Sequence, residues 1–195
     1  IYRRPLTEDE RRYAVLTAQL RRNCTFVYRD VRRLGTILLV DEAGWRAYTS
    51  RIGPEPLDPE FDAGRLAAVL ASTRQAVKKA IMDQRLLAGV GNIYANEALF
   101  RARIDPSKPA DRVDARAVSR LFRAIQTVLR EALKAHGTTL RDYRTATGGH
   151  GSYQFRLRVY GRGGSPCPRC RRKARLATTH AIDGRATTFC WRCQR

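Results

Sequence analysis

The 195-residue chain is poor in acid, in lysine and in methionine. Eighteen Asp and Glu stand against 38 Lys and Arg, a formal net charge of +20. That excess excludes a cationic partner and points to a polyanion; charge that serves solubility alone is the bland alternative. Only five of the cations are lysine, and the arginine bias suits bidentate phosphate contacts while also following from a GC-rich genome. The sole methionine is Met82 and the first residue is Ile1, so the chain is read as processed or, by preference, as a fragment whose natural beginning is missing. No apolar run approaches the roughly 20 residues of a membrane span, and no charged-then-apolar segment resembles a secretory signal. With 43% hydrophobic residues, wholesale disorder is excluded as well. A soluble, intracellular protein of one medium domain or two to three small ones is expected.

Residues 7–22 suit either a short amphipathic helix or a polar connection between strands. The runs Thr25–Tyr28 and Thr36–Val40 are rich in β-branched and aromatic residues, and Asp30–Gly35 between them supplies turn chemistry. A hairpin with Arg32 and Arg33 at its tip is expected there. Gly53-Pro54-Glu55-Pro56-Leu57-Asp58-Pro59 cannot continue helix or sheet and is the best linker candidate. Beyond it Leu66, Val69, Leu70, Val77 and Ile81 recur at helical spacing, with Asp58 or Asp62 as a start signal and with Arg74 and Lys78 on the polar side. A glycine-bearing break at Ala88–Asn92 precedes a short helix over 93–101. Residues 114–135 form the clearest helix, ended by His136-Gly137. From Tyr153 to Tyr160 apolar and polar residues alternate, which predicts a half-buried strand.

Four of the five cysteines occur as Cys167-Pro-Arg-Cys170 and Cys190-Trp-Arg-Cys193. Two paired Cys-x-x-Cys knuckles aim four sulfurs at one point, the donor set of a structural Zn²⁺ ribbon; a disulfide framework is the weaker alternative. Cys24 is expected to be a small core residue. Ala181–Phe189, between the knuckles, reads as a hairpin with Asp183-Gly184 at its turn and Arg185 projecting from the tip. From spacing alone Arg185 could equally be one more solvated arginine.

Several stretches together resemble bacterial formamidopyrimidine-DNA glycosylases (Fpg). They are the run Met82-Asp83-Gln84-Arg85-Leu86-Leu87-Ala88-Gly89-Val90-Gly91-Asn92-Ile93-Tyr94-Ala95-Asn96-Glu97-Ala98-Leu99-Phe100 and the tail from Val159-Tyr160-Gly161-Arg162 through Pro166-Cys167, Gly184-Arg185-Ala186-Thr187 and Cys193-Gln194. Asp30–Gly35 and Gly53–Leu57 follow the same pattern, so the match runs in order along nearly the whole chain. The resemblance implies an α+β multidomain fold. Residues 1–56 would be the remnant of an N-terminal catalytic β-sandwich domain, 57–152 a helix-two-turn-helix DNA-binding domain with a base-capping loop, and 153–195 a zinc-finger β-hairpin domain.

It also implies roles. Arg32, Arg33 and Leu34 would contact DNA, Arg32 and Leu34 filling the hole behind an extruded base, with Leu34 replacing the usual Phe wedge and so stacking more weakly. Arg74, Lys78 and Asn92 would face DNA phosphates, Arg74 standing where the family has Lys. Gly89 and Gly91 would let the backbone approach a phosphate. Arg185 would hold phosphates around the lesion and take part in the second strand-cleavage step. Gly149, Gly151, Ser152 and Tyr153, within the segment Thr147–Gln154, would belong to the loop that caps an oxidised purine. Cys167, Cys170, Cys190 and Cys193 would hold one structural zinc.

The implied activity is base-excision repair: removal of oxidised purines (8-oxoguanine, formamidopyrimidines) from double-stranded DNA and nicking of the abasic site, by a bacterial, cytoplasmic monomer. Chemistry in the family begins at an N-terminal proline amine that forms a Schiff base, aided by a glutamate and a lysine. None of the three is found here, so this polypeptide is expected not to excise bases. The alternatives are an endonuclease VIII-like enzyme for oxidised pyrimidines and a non-catalytic DNA-binding zinc-ribbon protein. Residues 143–195 hold twelve Lys and Arg against the single acid Asp183, which places more than half of the charge excess at the capping loop and finger.

Overall fold

A computed structural model describes residues 1–139, 149–170 and 173–195. The chain divides into two compact units, Ile1–Ala43 and Gly44–Arg195.

In the first unit, helix α1 (Glu8–Arg12) starts from a capping box between Thr7 and Glu10. Strands β1 (Ala14–Leu20) and β2 (Cys24–Arg29) form an antiparallel hairpin in which Leu20 opposes Cys24. Arg22 and Asn23 turn the chain with positive φ. The expected pairing of 25–28 with 36–40 is therefore wrong: residues 25–28 pair with the preceding segment, and 36–40 have no regular structure. The helix-or-connection reading of 7–22 resolves into a five-residue helix followed by a strand. Cys24 is the only buried hydrophobic residue among the described residues of this unit, in line with its expected core role.

Helix α2 (Glu42–Thr49) follows in the chain. The second unit then builds on α3 (Ala63–Ala71), α4 (Val77–Met82), α5 (Asn92–Ala102) and α6 (Ala115–Lys134), with short 3-10 turns at Ala110–Arg112 and Tyr153–Arg156. Asp62 caps α3 through the Arg65 amide and Asp114 caps α6 through the Ala117 amide, each carboxylate satisfying one of the unpaired amides at a helix start. Leu66 and Leu70 of α3, Val77 and Ile81 of α4, Leu99 of α5, and Val118, Leu121, Ile125 and Val128 of α6 form one core with Tyr153. The single helix expected over 66–81 is two helices. A break at 72–76 resets the helical phase, so Arg74 lies outside any helix and Lys78 faces inward.

Gly53–Pro56 is not a free linker. The Gly53 amide donates to the Gln84 carbonyl at 2.8 Å, the Ala88 amide to the Pro54 carbonyl at 3.0 Å, and Gln126 Nε2 to the Pro56 carbonyl at 3.0 Å. A Cβ on Gly53 would stand 2.6 Å from the Leu86 carbonyl carbon, so only glycine permits this approach.

The strand expected from Tyr153 is also absent. Of the apolar residues in its alternation Tyr153 and Val159 are buried and Leu157 half-buried, but Phe155 is 85% exposed, and the backbone bonds run to a side chain instead of a neighbouring strand. The fully buried Glu97 carboxylate accepts the amides of Arg158, Val159 and Tyr160 at 2.9–3.0 Å. Leaving such a donor buried and unpaired costs ~1–3 kcal/mol, so one carboxylate fixes the passage from helical domain to finger. The finger itself holds β3 (Ala177–Thr179) paired antiparallel with β4 (Thr187–Phe189). Asp183 and Gly184 take positive φ at the expected turn.

Candidate nucleic-acid interface and metal centre

Helix α5 organises the site, with one pole against the finger hairpin and the other against the cysteine knuckles. At its start the Ala186 carbonyl accepts from three side chains: Asn92 Nδ2 at 3.2 Å, Lys78 Nζ at 3.3 Å and Asn96 Nδ2 at 3.4 Å. Lys78 also donates to Thr187 Oγ1 at 2.7 Å, and Asn96 Oδ1 accepts the Thr188 amide at 2.6 Å. Residues about 90 positions apart thus lock together, and the residue immediately before the clamp is Arg185. Its side chain is 60% exposed, and its only ion pair among the described residues is a loose 3.7 Å approach to Asp183. A guanidinium held at its root and open at its tip can engage a phosphate oxygen bidentately.

Lys78 does not lie on an exposed polar side, as the helical pattern suggested, nor does it face outward as the DNA-facing role implied by the resemblance would require. It is fully buried, and burial, with repulsion from Arg185 as a lesser cause, lowers its pKa to about 8 despite the attraction of Asp183. The exposed cation on α4 is Lys79. Asn92 is half-buried with its amide turned to the hairpin, so it joins the clamp instead of standing free. Arg74 is exposed, its Nε 3.8 Å from Asp111. Gly89 and Gly91 border open space on their Cβ sides, as a close approach to phosphate requires, although the Gly89 amide itself is spent on Gln84 Oε1 at 2.9 Å. No side chain caps α5, and its first-turn amides and dipole favour an anion there.

Arg32, Arg33 and Leu34 belong to the first unit. There the Asp30 carboxylate gathers the amides of Gly35 at 2.6 Å and Arg32 at 3.1 Å, hydrogen bonds that hold its pKa below the ordinary value. All three side chains are exposed on this loop, Leu34 by 71%.

The segment Thr147–Gln154, expected to cap a base, is described only in part, since Thr147 and Gly148 lie outside the described residues. Gly149 is exposed, but Gly151, Ser152 and Tyr153 are the root of the segment. Their amides donate to Thr139 Oγ1 at 2.8 Å, the Ala135 carbonyl at 2.8 Å and the Gly137 carbonyl at 3.1 Å. Those three amides are therefore committed to the protein and do not face a base. Tyr153 is fully buried, its ring edge-on to Tyr94 at 5.8 Å, and burial pushes its phenol up to about 12.

At the other pole, Cys167, Cys170, Cys190 and Cys193 converge, their sulfurs all within 4.8 Å of one another. Cys167–Cys193 and Cys170–Cys190 are each 3.9 Å apart, far from bonding distance and close to the ~3.8 Å edge of a tetrahedron with 2.3 Å metal–sulfur bonds. Burial and hydrogen bonding to its neighbours push the Cys193 thiol up to about 12 and raise that of Cys170, whereas at Cys167 burial is outweighed by hydrogen bonds from the Cys170 and Arg169 amides and its pKa is lowered; a dication at the centre would favour the thiolate form. The four residues can hold a metal ion.

Polar residues that spacing did not reveal secure this pole. Gln194 Nε2 donates to the Ile104 carbonyl at 2.9 Å while its Oε1 takes the Cys190 amide at 2.9 Å. Arg169 Nη1 donates to the Phe100 carbonyl at 2.7 Å, and its guanidinium lies 4.6 Å over the Phe100 ring. The available signal for Asn96 and Glu97 is their position inside an otherwise apolar helix, where a polar side chain must have a partner.

Residues 52–144 match the family model described as formamidopyrimidine-DNA glycosylase H2TH domain. The formamidopyrimidine-DNA glycosylase of Thermomicrobium roseum is 51% identical over 168 residues, 86% of this chain and 57% of its own length. That of Moorella thermoacetica is 49% identical over 143 residues, 72% of this chain and 52% of its own. Among solved structures, the MutM (Fpg) protein from Thermus thermophilus superposes with a TM-score of 0.79 at 42% identity, covering 87% of this chain and 64% of that one. Lactococcus lactis Fpg in complex with abasic-site DNA gives 0.78 at 34% identity, covering 88% and 62%. The chain thus spans between half and two thirds of the length of these relatives.

Proposed function

The chain belongs to the formamidopyrimidine-DNA glycosylase family, and on that premise we propose that its second unit is the DNA-gripping part of a base-excision repair enzyme. The proposed substrate is duplex DNA carrying an oxidised purine or an abasic site. The observation that carries this reading is the three-donor clamp on Ala186, which roots Arg185 beside the open start of α5. Phosphate contacts of this kind set the register of a protein on DNA. Lys78, Asn92 and Asn96 position the hairpin, Arg185 and Lys79 offer charge to the backbone, and the Arg32–Leu34 loop supplies an arginine and an apolar wedge for the gap left by an extruded base. The metal ion is Zn²⁺; with four thiolates and no vacant position it contributes folding energy and no chemical step.

The reading is tested with a duplex containing a stable abasic-site analogue, titrated at several salt concentrations. Arg185→Ala is expected to weaken binding and to reduce the slope of log K against log salt by about one unit. An unchanged slope would return Arg185 to the solvent.

Excision and abasic-site lyase activity are proposed for a longer protein that supplies an N-terminal proline amine. Residues 1–195 alone are expected to bind abasic-site DNA without forming an adduct when borohydride is added. A trapped adduct would mean that an amine within these residues is nucleophilic. Preference for oxidised purines over oxidised pyrimidines rests on the resemblance of the 147–154 segment to a base-capping loop, and is measured by comparing duplexes that carry 8-oxoguanine with ones that carry an oxidised pyrimidine.

A further inference from the structure

The C-terminal pole of α5 carries a concentration of charge that the clamp at its other end does not use. Arg103, Arg120, Arg169, Arg192 and Arg195 surround a cavity of about 500 Å³ beside Cys170 and Cys193, and among the described residues no carboxylate side chain lines it. Two of the five have structural work. Arg169 binds the Phe100 and Arg101 carbonyls, and Arg120 Nε binds the Ala102 carbonyl at 3.1 Å, so both satisfy the unpaired end of α5. The other three do not: Arg103, Arg192 and Arg195 are exposed, and among the described residues none of their guanidinium groups pairs with a carboxylate.

Neighbouring metal does not account for the excess. A Zn²⁺ with four thiolates carries two net negative charges. Subtracting those from the five guanidinium groups still leaves three positive charges. Two adjacent backbone phosphates supply compensating negative charge, and the planar fork of arginine fits their oxygens. We propose that this arginine-lined cavity binds two consecutive phosphates of a nucleic-acid strand, as a contact separate from the hairpin. The 11 residues of α5 hold the two poles roughly 16 Å apart at 1.5 Å per residue, too far for one phosphate group to bridge.

The test uses the zinc-loaded full chain and two probes: pyrophosphate by calorimetry, and an undamaged labelled duplex by fluorescence anisotropy across a salt series. The variants are Arg192→Gln/Arg195→Gln and, separately, Arg103→Gly. Arg103 sits at φ 62°, so glycine there relaxes the backbone and keeps the fold while removing the charge. At zinc content equal to the parent's, the double variant is expected to lose at least about tenfold in pyrophosphate affinity and about two units of duplex salt slope; Arg103→Gly is expected to lose about one unit. Arg185→Ala should lower the duplex slope and leave pyrophosphate binding unchanged, which separates this site from the hairpin. Loss of pyrophosphate binding with an unchanged duplex slope would overturn the nucleic-acid assignment in favour of a free diphosphate. If both variants match the parent with both probes, the cavity is no anion site.

Discussion

At the scale of single residues, burial decides more than residue type. Lys78 would be a phosphate ligand by its position in the sequence, yet it is enclosed and held by Ala186 and Thr187. Its pKa, lowered from 10.5 to about 8 by burial, has a consequence for stability. In the unfolded chain the amine stays protonated to about pH 10.5, whereas in the fold it releases its proton near 8, so across that window the unfolded state binds more protons and stability rises with pH. The cost of the buried ammonium is fully present below about pH 8. Urea unfolding of the parent and Lys78→Met should therefore show the parent gaining ~1–3 kcal/mol relative to the variant between about pH 7.5 and 10. A gap that does not change with pH would show that the amine is not desolvated.

Elements were legible where their stabilising contacts are local. The α6 stripe, the start of α3 at Asp62 (one of the two aspartates offered), the Asp183-Gly184 turn and the four-cysteine knuckles all follow from short-range spacing. Illegible were the features that depend on partners far along the chain. Thr36–Val40 has strand-forming residues but no strand to pair with, and 153–160 alternates like a strand while Glu97, some 60 residues upstream, takes its amides. The clamp on Ala186 was hidden for the same reason: Asn92 and Arg185 could each be singled out, but nothing in their spacing says that one roots the other. The finger offers a test at this scale. Cys190→Ser removes one of four thiolates and should release zinc, measured as metal content after dialysis, with loss of the β3–β4 hairpin. Helical circular dichroism should be largely kept, because the α3–α6 core contains no residue of the cysteine knuckles or of the β3–β4 hairpin. Retained zinc would contradict the four-thiolate assignment.

Across the whole molecule the two units differ sharply in what they bury. The second has a core of more than twenty buried residues, whereas the first buries only Cys24 among hydrophobic residues, its strand β1 is almost wholly exposed, and Leu38 and Leu39 stand in solvent. An isolated two-stranded hairpin is marginal in water. Amides of β1 and β2 should accordingly exchange with deuterium at least about tenfold faster than those of α5 and α6, read by mass spectrometry of peptic fragments; equal protection would mean that the first unit is stabilised by contacts beyond its own core. The two ends of α5 add an order in time. Synthesis delivers this helix well before the finger, so Asn96, Glu97 and the carbonyls of Phe100, Arg101 and Ile104 wait on the ribosome for partners translated 62 to 92 residues later. Metal capture by the emerging knuckles is then the event that completes the packing at both ends of α5, and a shortage of zinc during translation would leave those polar groups without their partners even where the finished protein never loses its ion.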